Sequence, residues 1–283
     1  MHGRGAWLAA TIAVAVILGT ALGARASRGL WIPHPAGAGA ASGNTSDACA
    51  TTPETRVQTT EIATAKLIVE YNATDDDLGV HGAFDDQGWK TLCVFDPSGR
   101  AVLEVGPQGQ LRDLTMAGIF FESREPPASE FSFADLEAAF PEGEYTVRAE
   151  SFDGTTLVGS ATFTHDVPAA PTIFAPTLAE EPRGARRNPV SSHDLEVRWE
   201  DVNRTVDGGP VTITGYEVII TKDVEDDPHG FSRPTYDVHL PAIANSLIVP
   251  EEFLEPGTVY ELEVLALEQS GNQTIGVGFL RTA

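Results

Sequence analysis

The chain has 283 residues, room for one or two domains of ordinary size, and its hydrophobic fraction of 42% is enough to build a buried core. With 18 Lys and Arg against 41 Asp and Glu the formal net charge is -23, a surface that repels phosphate backbones and anionic lipid and argues against a nucleic-acid partner. The 2 cysteines are too few for a zinc-thiolate cluster, although an oxidising compartment would allow one disulfide.

The N-terminus reads as an address. Arg4 lies in a short basic segment, Ala6 to Leu22 is an apolar run, and Ala24-Arg25-Ala26 has the small-x-small form of a signal peptidase site. Residues 1–26 are therefore expected to be a signal peptide whose removal leaves Ser27 first. A single-pass anchor over residues 6–22 is the alternative, and it exports the rest of the chain equally. Residues 27–59 are rich in Ala, Gly, Ser, Thr and Pro without periodicity and are expected to form a flexible tether.

From about residue 60 short apolar runs take over. Ile62 to Tyr71 reads as a strand, Asn72 to Asp77 as a loop, and Leu78 to Phe84 as a second strand. Trp89 to Phe95 and Ala101 to Val105 flank Asp96-Pro97-Ser98-Gly99-Arg100, a tight-turn sequence, and Ile119-Phe120-Phe121 is a further strand. Ser132 to Phe140 is the one helix expected: Ser132 caps it, Asp135 sits three residues on, and Phe133, Leu136, Ala139 and Phe140 share a face. Glu144 to Phe152 and Thr155 to Thr164 pair across Asp153-Gly154, a hairpin signal. Three prolines between Val167 and Pro176 mark a boundary near Pro168, with too little chain for a loose linker.

Beyond it lie about seven short strands: one near Pro171, then Leu195 to Trp199, Ile213 to Thr221, Thr235 to Leu240, Ser246 to Val249, Thr258 to Leu267 and Thr274 to Leu280. Trp199 ends the second of them. Gly215-Tyr216-Glu217-Val218 and Leu254-Glu255-Pro256-Gly257-Thr258-Val259-Tyr260 complete a pattern that resembles fibronectin type III. The resemblance covers about residues 168–283. It implies that Trp199 plugs the space between two sheets and that Tyr260 forms a tyrosine corner, its hydroxyl bonding back to nearby backbone. The acidic loop from Asp223 to Pro228 is longer than that family's usual connection, and Arg-Gly-Asp is absent, so integrin adhesion is not implied. In the first half, Phe140 to Ala149 echoes the same Gly-x-Tyr approach to a late strand. Together with Thr74 to Gly79, Phe120 to Ser123 and Leu157 to His165, it resembles a group of uncharacterised exported bacterial proteins that end in a fibronectin type III module. That likeness implies architecture only.

Candidate chemistry is sparse. H-E-x-x-H, H-x-H, G-x-S-x-G and phosphate-binding glycine loops are absent. His165 beside Asp166 reads as an inter-domain hydrogen-bonding residue, His239 as a surface or sheet-edge residue, and Ser191-Ser192-His193-Asp194 as a turn, since triad members normally come from separate elements. Asp75, Asp76 and Asp77, with Asp85 and Asp86, flank one strand. Seven extended residues span about 23 Å, too far for one calcium site, and both groups read as solvated turns. The sequons at Asn44, Asn72, Asn203 and Asn272 read as chance in a bacterial protein. Cys93 lies in a strand and Cys49 in the tether. A disulfide needs Cα atoms within about 7 Å and nothing in the sequence brings the two together, so a buried free thiol at Cys93 is expected.

The expectation is thus an all-β chain of two consecutive β-sandwich (immunoglobulin-like and fibronectin type III) domains with one short helix in the first. Its divisions are a signal peptide over 1–26, a tether over 27–59, an immunoglobulin-like sandwich over 60–167 and a fibronectin type III domain over 168–283. No catalytic, cofactor-binding or metal residues are expected. The function expected is that of an exported non-enzymatic binding or structural protein of the cell envelope or extracellular space, presenting loops to a protein or glycan and touching membrane only through its N-terminal segment. The alternative is a carbohydrate-binding accessory protein of a secreted glycan-degrading system.

Overall fold

The computed structural model describes residue 49, residues 59–223 and residues 235–283. The expected signal peptide, the sequon at Asn44, most of the expected tether and the acidic loop beyond Asp223 lie outside the described residues.

The protein is all-β. The first module runs β1 (Thr59–Glu61), β2 (Thr64–Asn72), β3 (Asp77–Phe95), β4 (Ala101–Val105), α1 (Gln110–Leu114), β5 (Met116–Glu122), α2 (Phe133–Ala139), β6 (Gly143–Ser151) and β7 (Thr156–Phe163). The two strands expected between Leu78 and Phe95 are one. Asp77 to Asp85 pairs with β2, whereas Trp89 to Phe95 pairs with β6, and the ladder to β5 shifts register between Asp85 and Trp89. The Asp-Asp-Gln-Gly stretch therefore bends the strand without ending it, and β3 serves both layers of the sandwich, as strands do at sandwich corners. Between the layers lies a core that includes Val69, Phe84, Trp89, Leu92, Tyr145, Val147 and Phe163.

Local chemistry holds the pieces in place. The expected helix is α2, with both bonds of a capping box between Ser132 and Asp135. The β3–β4 turn is organised by Asp96, whose Oδ1 accepts from Ser98 N at 2.9 Å and Arg100 N at 2.9 Å while the Arg100 guanidinium lies 2.8 Å from Oδ2. The Asp153-Gly154 hairpin joins β6 and β7 as expected. The remaining two helices, α1 and α3 (Pro182–Ala185), are single turns.

The second module contributes β8 (Ile173–Ala175), β9 (Glu196–Trp199), β10 (Ile213–Lys222), β11 (Thr235–Pro241), β12 (Ser246–Ile248), β13 (Val259–Glu268) and β14 (Gln273–Arg281). They form a three-stranded sheet, β12-β9-β8, facing the order β14-β13-β10-β11. Trp199 is buried between them, its ring 5.4 Å from that of Tyr216. The Tyr260 hydroxyl accepts from Glu255 N at 2.7 Å, the corner implied by the resemblance. The echo in the first module is physical too, for the Tyr145 hydroxyl donates to Pro141 O at 3.1 Å.

Two features depart from expectation. β14 pairs in parallel with β2, so that one sheet runs through both modules. The turn before β14 is locked into this seam by Asn272, which is 1% exposed. Its Oδ1 accepts from Val69 N at 2.8 Å, and its Nδ2 donates to Thr164 O at 3.0 Å. Secondly, Cys49 and Cys93 are bonded, with Cα atoms 5.9 Å apart, and the described residues contain no free cysteine. The expected free thiol is therefore wrong. Cys93 lies on the outer face of β3, where Cys49 packs with Phe95 and Ala101, and this apolar patch supplies the contact that sequence spacing does not reveal.

Candidate functional site

The shared sheet has a core side and an opposite side. Along β2, alternation sends Leu67 and Val69 into the first core and Glu70 to the other face. Register then sets Glu70 beside Gly79 on β3 and beside Gln273 on β14, with His81 two residues from Gly79. The same face continues across the second module through Glu263 on β13, Glu217 on β10, and Asp237 and His239 on β11. An acidic stripe with two histidines thus crosses the seam.

At its first centre, Glu70 and His81 are both 1% exposed. Gln273 Nε2 donates to Glu70 Oε2. His81 Nε2 lies 2.8 Å from Glu125 Oε1, while Nδ1 faces Glu70 Oε2 at 3.6 Å and has no hydrogen-bond partner. Glu125 reaches this point because Gly79 has no side chain: a Cβ there would come 2.7 Å from Glu125 Cγ. Burial pushes the Glu70 carboxyl up to about 7 against the opposing pull of His81. Burial draws the imidazole down, but the bond to Glu125 and the nearby carboxylates outweigh it, and His81 lies above its ordinary value.

The second centre holds Glu217, Asp237 and His239. Burial first, and then the neighbouring Asp237 carboxylate, raise Glu217 to about 8. His239 Nε2 is 3.3 Å from Glu217 Oε1. Burial, with Glu261 next, holds Glu263 well above the usual carboxylate range. In each of two trios, Glu70, His81 and Glu125 at the first centre and Glu217, Asp237 and His239 at the second, the ligand atoms lie within 4.8 Å of one another, close enough to hold a cation.

The residues weighed from sequence fall elsewhere or are redefined. His165 does hydrogen-bond, but to Phe140 O at 2.8 Å inside its own module. The inter-module bonds come from its neighbour Thr164, whose hydroxyl meets Ser270 at 2.8 Å. Ser191 and His193 form the expected turn, and His193 lies on exposed Glu251. His239 is a sheet-edge residue as expected. Asp77 and Asp85 stand at opposite ends of the β2–β3 ladder, so the two acidic groups are not brought together. Asn72 accepts from Thr74 N in a turn and is buried, as is Asn272, whereas Asn203 is exposed. The Glu70–His81 centre is invisible to motif searches. Its only sequence signal is a lone charged residue in each of two otherwise apolar runs, Leu67 to Tyr71 and Leu78 to Phe84.

No family profile and no curated protein matches the chain. Among solved structures it is similar to the FN1–FN3 domains of chicken CNTN1, at 12% identity and a TM-score of 0.29, covering 80% of this chain and 67% of that one. It is also similar to a tetra-tandem repeat from the extending region of a large adhesion protein, at 13% identity and a TM-score of 0.26, covering 78% of this chain but half, 50%, of the other. The fold is read from the strand order itself.

Proposed function

We propose that this chain is an exported, non-catalytic binding protein of the cell envelope or extracellular space, and that its partner is a protein bound along the β4 strand of the first module. The division into a signal peptide over 1–26, a tether over 27–59 and modules over 60–167 and 168–283 belongs to the same reading. A disulfide suits an oxidising compartment. No described helix is long and apolar enough to cross a membrane. Each described histidine has a ring nitrogen on a carboxylate or a backbone carbonyl, and among the described residues none is joined through its ring to a Ser, Thr or Cys side chain that it could activate.

The observation that carries the proposal is the edge at β4. Among the described residues β4 pairs only with β3, and Val102 is 41% exposed on it. Beside it a cavity of about 120 Å³ opens between the layers, lined by Leu67, Val80, Val94, Leu103, Phe121 and Phe140. A sheet-edge strand next to apolar side-chain space suits an added strand from a protein. Glycan recognition would favour a row of exposed aromatic rings on the first module. The exposed aromatics there, Phe120 and Phe152, sit on separate elements.

A photo-crosslinking residue at position 102, with one at exposed Thr162 as control, tests this in envelope extract. A protein adduct at 102 and none at 162 is the expected result. Saturable binding on a glycan array, with no protein adduct at 102, would overturn it in favour of the carbohydrate-binding alternative.

A further inference from the structure

We propose that Glu70, His81 and Gln273 form a binding site for one first-row divalent metal ion of the zinc type, placed at the seam between the modules. The first support is the orphaned atom. The His81 side chain is 2% exposed and its Nδ1 has no hydrogen-bond partner, although a buried polar atom normally finds one. Its Nε2 is 2.8 Å from a Glu125 oxygen, which holds the ring proton at Nε2. In the neutral ring the Nδ1 lone pair then points toward Glu70, so a cation that displaces the second ring proton finds two electron-rich atoms facing each other across the gap.

The width of the gap discriminates between occupants. At 3.6 Å, Nδ1 and Glu70 Oε2 are too far apart for a normal N–H···O bond. Two ligands of one tetrahedral ion, with bonds of about 2.0–2.1 Å, sit roughly 3.4 Å apart. The separation therefore fits two bonds to a metal better than a shared proton. Glu125 completes the arrangement from outside, because a metal-bound imidazole commonly donates its other N–H to a carboxylate. Gly79 leaves the room that Glu125 needs.

Gln273 already touches Glu70. A flip of its amide, with the Gln273 and Glu70 side chains moving apart, would present Oε1 to the ion as a third ligand. A nitrogen and two oxygens suit zinc and its neighbours, while calcium prefers six to eight oxygens. The carboxylates of Glu122 and Glu125 lie close enough to act on Glu70 and add negative charge beside the site. Because Glu70 and His81 come from β2 and β3 and Gln273 from β14, the ion would bind the modules to each other.

The test uses the exported full-length chain, stripped with EDTA and titrated with Zn²⁺ by calorimetry. Co²⁺ substitution and long-range ¹H–¹⁵N imidazole spectra report the ligands. The proposal expects one ion per chain, a shift of the His81 Nδ1 resonance on binding, and a rise in melting temperature. Glu70→Gln keeps the bond to Gln273 and the fold, checked by circular dichroism, yet should weaken binding at least 100-fold. Glu125→Gln, which acts through His81, should weaken it about 10–100-fold. Absence of binding below millimolar Zn²⁺ would overturn the proposal. So would binding that survives Glu70→Gln, or binding lost in His239→Ala instead, which would place the ion at the second centre.

Discussion

Replacing Asn272 by alanine should loosen the seam and weaken the whole fold. The side chain satisfies Val69 N through Oδ1, and Thr164 O and the Thr164 hydroxyl through Nδ2. The hydroxyl retains Ser270, but the buried Val69 amide and the half-buried Thr164 carbonyl lose this partner. An orphaned buried group costs about 1–3 kcal/mol, so the two together should cost about 2–4 kcal/mol. Asn272→Asp keeps the acceptor for Val69 but turns a carboxylate toward two carbonyl oxygens, and should be no better. Urea melts read by tryptophan fluorescence measure the loss, with Trp7→Phe and Trp31→Phe throughout and Trp89→Phe or Trp199→Phe added to leave one reporter in one core. A shared seam predicts that both reporters shift to lower urea together. A loss under 1 kcal/mol, or a shift in one module only, would refute the reasoning.

Trp199→Ala should cost about 3–5 kcal/mol, the usual loss for a large buried ring, and a denaturant melt showing under 1 kcal/mol would remove Trp199 from the core. Tyr260→Phe deletes the corner bond to Glu255 N and should cost about 1–2 kcal/mol in the same assay. Thiol counting on denatured, unreduced protein should find no free thiol. Cys49→Ala with Cys93→Ala should lose about 4 kcal/mol for a loop of sequence separation 44, and two free thiols in the parent would contradict the bond. Glu217 is raised from 4.5 to about 8, so the folded state holds a proton that the unfolded state has already released. The stability this lends is full below about pH 4.5 and lost as pH rises through 8, and Glu263 acts in the same sense. In EDTA the melting temperature should therefore be lower near pH 8.5 than near pH 5, and Glu217→Gln should flatten the difference.

The strands of the second module were legible because each carries its own alternation and its own turn residues, and Trp199 and Tyr260 mark its core and corner. The helix at Ser132 was legible for the same local reason. What escaped was set by long-range pairing. Asp85 and Asp86 look like a strand break, yet the backbone passes through them because partners on both sides continue the ladder. Cys49 finds Cys93 through an apolar patch made by residues far apart in sequence. Glu70 and His81 look like ordinary outward-facing strand residues. Only the parallel pairing of β2 with β14 brings Gln273 to them, and no periodicity announces a pairing between modules.

Amide hydrogen exchange along β2 and β14 addresses the central claim, that one sheet runs through both modules, without substituting any residue. The Val69 amide donates to Asn272, the Ala73 amide to Ile275 O at 3.1 Å and the Val277 amide to the Thr74 hydroxyl at 2.9 Å. If the modules share a sheet, these amides should exchange as slowly as those in the centre of β13 and should be released only on global unfolding. Exchange at the rate of a free edge strand, while β13 remains protected, would mean that the sheet stops at the module boundary.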